Sequence, residues 1–180
     1  MPATETGSID LSSVDTVLAT ARSVRRRLDF EREVPAEVIL DCIDIATQAP
    51  TGLGGESWRF VVVTEQARKQ ALSTLYGDVL DELATARGVP IKTTQRALVD
   101  RLHEIPAMIL VCTVAEGPSE EIAGQVAYYG SILPAAWSLM LAKWPPRVWA
   151  CASAAVQVMG SVIRYVWPCQ THNHWPVTWA

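Results

Sequence analysis

Acidic residues are missing from positions 143–180 of this 180-residue chain: all 19 Asp and Glu come earlier, whereas five of the seven tryptophans fall within that last stretch. An acidic tail is therefore excluded. So abrupt a shift in composition sets the stretch apart, and we expect one domain over residues 1–142 followed by a divergent tail, 143–180, read from a different frame or otherwise replacing an original ending. Cysteine is also scarce. The four present, Cys42, Cys112, Cys151 and Cys169, are widely spaced, which excludes a disulfide framework and the paired spacing of a structural zinc site. Positions 1–10 are polar and lack the apolar core of a secretory leader, so a cytoplasmic protein is expected. Charge of one sign never accumulates beyond Arg25-Arg26-Arg27, and the formal net charge of -4 argues against nucleic acid as a partner.

What is there fits a soluble domain of ordinary size, with 49% hydrophobic residues. Ser12-Ser13-Val14-Asp15 has the form of a helix start, with the helix running to about Val24. A second helix is expected over 35–49, with Pro35 at its first position, Glu37 in its first turn, and Ile39, Cys42, Ile43 and Ala46 on one face; Pro50 stops it. The β-branched and aromatic run 58–63 reads as a strand buried on both faces. Residues 65–86 read as a helix with Ala71, Leu72, Leu75, Val79, Leu80 and Leu83 on its apolar stripe, ended by Gly88-Val89-Pro90; 92–102 reads as helical and 107–114 as a second buried strand. The stretch 122–142 carries no charge at all. Its length approaches that of a membrane span, but Gln125, Ser131, Ser138 and Pro134 favour a buried helix, and no membrane role is expected.

Two segments carry the chemistry. Arg22-Ser23-Val24-Arg25 places two guanidinium groups and a hydroxyl close together, the donor set that phosphate oxygens match. Ala49-Pro50-Thr51-Gly52 follows, a turn whose backbone a flat ligand can approach closely, and Trp58-Arg59-Phe60 then leads into the strand behind it. Phosphate grip and backbone cradle together point to a nucleotide-like cofactor. In order, spacing and residue type these segments resemble the nitroreductase family of flavin enzymes. Further matches are the 35–49 helix, the 108–114 strand and the apolar helix around Tyr128-Tyr129-Gly130-Ser131, so the resemblance covers about residues 13–142.

The resemblance implies an α+β, nitroreductase-like fold with a central, mostly antiparallel sheet flanked by helices, dimeric about a long central helix. It also implies non-covalent FMN as cofactor, NAD(P)H as co-substrate, and a nitroaromatic or quinone-like small molecule as electron acceptor. The chemistry is then the cofactor's, and no side chain is assigned as catalytic. Arg22 and Ser23 are expected at the phosphate and ribityl end, Arg25 at the N1/O2 edge of the ring, and Pro50, Thr51 and Gly52 along the ring. The sequence departs from the family pattern at Gly54 and Glu56, where Asn and Gln are common, and after residue 142, where a Gly-Leu-Gly-x-x-Trp segment is missing. An inactive or merely flavin-binding relative is the alternative these departures raise. The remaining candidates read plainly: Arg26 and Arg27 as a solvated face near Asp29 and Glu31, Glu56 as a surface carboxylate beside Arg59, and Trp58 and Trp137 as packing residues. Cys169, His172 and His174 read as chance spacing, with no metal expected.

Overall fold

The first helix, α1, spans Leu11–Thr20 and is capped by Asp10, whose carboxylate accepts from the Ser12 amide at 3.1 Å and from the Ser12 and Ser13 hydroxyls at 2.7 and 2.5 Å. The cap thus lies two residues before the serine pair, because an aspartate at that position reaches both hydroxyls and a free amide together. Those three bonds hold the Asp10 carboxyl below its usual range, the Ser13 contact contributing most. The chain is seen as a computed structural model that describes residues 10–21, 28–51, 58–113, 120–142 and 177–179. Helix α2, Ala36–Ala46, takes Pro35 as its cap rather than its first residue, and buries Ile39, Cys42, Ile43 and Ala46, the face that the 3.6-residue periodicity marks.

Strand β1, Trp58–Val63, buries Trp58, Phe60, Val62 and Val63 and leaves Arg59 and Val61 partly exposed, so one face is fully covered and the other only in part. Helix α3, Gln66–Arg87, ends at Gly88, whose φ of 62° is the left-handed conformation that glycine adopts without strain. Its buried face is Lys69, Leu72, Ser73 and Gly77, while Ala71 and Leu83 of the expected apolar stripe are exposed. Gly77 faces α4, Thr93–Arg101, so closely that an added Cβ would lie 3.1 Å from Val99 Cγ1. A short 3-10 turn, Leu102–Glu104, leads into β2, Met108–Thr113, and α5 spans Ile122–Leu141. The last strand is β3, Val177–Trp179.

The sheet has the order β2-β1-β3, with β1 antiparallel to β2 (Trp58 opposite Thr113, Val63 opposite Met108) and parallel to β3 (Phe60 opposite Val177). Helices α2 and α5 cover one face: Ile39, Cys42, Ile43 and Ala46 pack with Trp58, Phe60 and Val62 and with Ala135, Leu139 and Ala142. A smaller cluster of Val63, Leu72 and Met108 lies toward α3. Segregated helices on a mainly antiparallel pair make this an α+β fold. Trp137 departs from expectation: it is 48% exposed, because α5 is apolar on two faces and only one of them turns toward α2 and the sheet. Among the described residues, no helix is long and apolar enough to cross a membrane.

Candidate functional site

The end of α2 shapes the turn that the sequence marks. Thr47 caps the helix, its hydroxyl donating to the Asp44 carbonyl at 2.7 Å, and the amides of Gln48 and Ala49 donate to Ile45 and Ala46, each at 3.2 Å. These bonds tighten the last turn and deliver an exposed Pro50 and a half-buried Thr51 at the edge of the α2–β1 core. Trp58, 2% exposed and the first residue of β1, belongs to the core cluster against which Ala49 packs. Antiparallel pairing brings Thr113 opposite Trp58, so the end of β2 lies beside the start of β1.

Of the expected cofactor-binding residues, Pro50 and Thr51 are described and follow directly on the end of α2, Pro50 exposed and Thr51 half-buried, while Arg22, Ser23, Arg25 and Gly52 lie outside the described residues. So do Arg26, Arg27, Glu56, Cys169, His172 and His174. The chain on the far side of the arginine-rich stretch is anchored at Phe30, where the Arg101 guanidinium stacks 3.9 Å from the ring centroid. Arg101 is itself held by Glu104, which accepts at 2.9 and 2.6 Å; those bonds raise the guanidinium pKa and lower that of the carboxyl. Asp29 is engaged by Arg32 at 3.5 Å and accepts from the amides of Glu31 and Arg32.

Two polar groups near this end of the sheet do not stand out in the sequence. Trp58 Nε1 is buried and has no hydrogen-bond partner among the described residues, a rare condition for a donor out of reach of water. Tyr128, half-buried on α5, has its phenol pushed above its ordinary pKa, first by burial and then by Tyr129 and Cys112, and its ring meets that of Tyr129 edge to face at 5.2 Å. No periodicity distinguishes either group, since both occupy runs that read as packing. No group of three or more His, Cys, Asp or Glu side chains is arranged to hold a metal among the described residues.

Comparison with known proteins gives a consistent answer. The sequence profile of the Nitroreductase family matches residues 18–156, a span that includes both the arginine segment and the turn. A crystal structure of a nitroreductase-like family protein from Bacillus cereus superposes with a TM-score of 0.53 at 20% identity, covering 79% of this chain and 67% of that one. At that identity it speaks to the fold alone. No curated protein matches the sequence. Because the profile extends over well more than half of its length, the chain belongs to the nitroreductase family.

Proposed function

We propose that the protein is an FMN-dependent oxidoreductase that passes electrons from NADH or NADPH to a nitroaromatic or quinone-like acceptor. Family membership supports an oxidoreductase, and the observation that carries the finer reading is the order of the arginine segment, the Pro50-Thr51-Gly52 turn and β1 within the matched span. The residues suit the cofactor chemically. Arg22, Ser23 and Arg25 supply cationic and hydroxyl donors for an anionic tail, Pro50 and Thr51 leave backbone accessible beside a rigid core, and the unpartnered Trp58 Nε1 is a donor for a ring carbonyl or ring nitrogen.

Bound FMN would supply the redox chemistry, carrying two electrons as hydride from the nicotinamide to the acceptor. The chain's own part is to bind and to orient. In this reading Arg22 and Ser23 hold the phosphate and ribityl end, Arg25 offsets negative charge at the N1/O2 edge, and Pro50, Thr51 and Gly52 line the ring. Residues 1–142 form the nitroreductase-like domain, 143–180 a divergent tail that adds β3 to its sheet, and the setting is cytoplasmic. The charge-free α5 supports the reading of the chain as half of a homodimer.

Gly54 and Glu56, standing where family members commonly carry amides, support a second reading, a flavin-binding or inactive relative. An absorption titration of the purified chain with FMN, followed by anaerobic NADPH, tests both. Saturable binding and bleaching of the flavin band are expected; binding without bleaching selects the inactive relative, and no binding removes both readings. Arg22→Ala is expected to weaken FMN binding by about 1.5–3 kcal/mol, the worth of a charge-assisted hydrogen bond.

A further inference from the structure

The chain that leads out of the arginine segment toward α2 is built around Phe30. Asp29 shapes it: its Oδ1 accepts from the Glu31 and Arg32 amides at 3.3 and 3.2 Å, and Arg32 pairs with its other oxygen at 3.5 Å, so residues 29–32 form a closed turn that carries the ring. Those contacts are internal to the loop. Arg101, at the end of α4, ties the turn to the rest of the molecule, its guanidinium lying 3.9 Å from the Phe30 ring centroid. We propose that Arg101 is a positioning residue for the cofactor: by holding Phe30 it fixes where the arginine segment ends, and so raises the affinity for FMN. This rests on the FMN reading and adds to it a residue outside the segments that carry the family resemblance.

The guanidinium is itself oriented. Its Nε–H and Nη2–H both donate to Glu104 Oε2, at 2.9 and 2.6 Å, which fixes one edge of the plane and leaves its face to the ring. Glu104 closes the 3-10 turn that α3 holds through two carbonyls, His103 accepting from Gln66 and Ile105 accepting from the buried Lys69. A firmly held cation therefore meets a ring on an irregular loop. Chain length gives the consequence. Arg25 lies five residues before Phe30, a reach of at most about 18 Å. With the stack released, the next described residue packed on the core is Val34, nine residues beyond Arg25, and the reach grows to about 32 Å. A ligand that binds only the arrangement in which Arg22, Ser23 and Arg25 converge is then held more weakly, in proportion to the fraction of chains that keep it.

Fluorescence-quenching titration of FMN into the wild type, Arg101→Ala, Phe30→Leu, the double variant and Phe30→Tyr tests the assignment. Arg101→Ala and Phe30→Leu are each expected to raise the FMN dissociation constant about 2- to 5-fold, the range of one solvent-exposed cation–π contact. The double variant is expected to lose no more than either alone, and Phe30→Tyr, which keeps the ring face, to bind as the wild type does. Phe30→Leu retains every charge, so a loss in Arg101→Ala with none in Phe30→Leu would make the guanidinium a direct charge on the ligand and overturn the positioning role. Additive losses, or a lowered urea midpoint with FMN affinity unchanged, overturn it as well and leave the FMN reading standing. A wild type that does not bind FMN removes both.

Discussion

Lys69 is the one charged side chain buried among the described residues, 6% exposed, and its amine donates to the Ile105 carbonyl at 2.8 Å. That bond ties α3 to the end of the 3-10 turn, as does Gln66, which donates to the His103 carbonyl at 3.2 Å. Burial lowers the Lys69 pKa below the ordinary lysine value of 10.5, since the ammonium loses its water. Between the lowered folded value and 10.5 the unfolded chain therefore binds more protons than the folded one, and stability rises with pH through that window. Lys69→Met has no such window. The urea midpoint of the wild type is expected to gain on that of Lys69→Met as pH is raised from about 7 toward 10; a constant difference would show that the amine is not strained by burial. None of this was legible in the sequence, where Lys69 sits among exposed charges on a helix read for its leucines. Trp58 was half legible: its packing role follows from a strand start behind a turn, but its lack of an acceptor depends on which groups the fold brings around it. For Arg22, Ser23, Arg25 and Gly52 the sequence remains the whole of the argument.

Helices and strands were read from periodicity to within a few residues, because each buries a face that the sequence marks: Ile39, Cys42, Ile43 and Ala46 on α2, and Trp58, Phe60 and Val62 on β1. Reading weakened where apolar residues exceeded the face available to cover them. On α5 the absence of charge left both rows equally apolar, and nothing in the residue pattern marked Trp137 as pointing away from the core. On α3 the leucine stripe was read in part: Leu72 is buried and Leu75, Val79 and Leu80 are half-buried, while Ala71 and Leu83 are exposed and Gly77, close to Val99, lies on the covered side. Gly88, by contrast, was read correctly as the stop. Its φ of 62° sits in the left-handed region, and an added Cβ would meet nothing within 4 Å. Gly88→Ala should then cost about 1 kcal/mol, through backbone strain alone, and Gly88→Asn less, since asparagine tolerates that conformation. Urea unfolding of the two variants against the wild type checks this; equal losses would mean that the left-handed turn is not what ends α3.

At the scale of the whole molecule the sheet depends on a partner that sequence pattern does not reveal. β1 is the middle strand: β2 closes one edge over Trp58–Val63, and on the other side β3 pairs in parallel with Phe60, Val61 and Val62. β3 comes from within the compositionally distinct stretch 143–180 and beyond the span of the family match, and three residues are too few to carry a periodic signal. Without it, β1 presents unpaired backbone along its Phe60–Val62 register, flanked by the valines that otherwise make it a buried strand. An edge of that kind is both less stable and prone to pair with other chains. Ending the chain at residue 176 removes β3. The loss of two or three ladder hydrogen bonds is expected to lower unfolding stability by about 1–3 kcal/mol, and light scattering at matched concentration is expected to rise faster than for the full chain. Stability and scattering equal to those of the full chain would mean that β3 contributes nothing to the sheet and that the Phe60–Val62 edge is protected by other means.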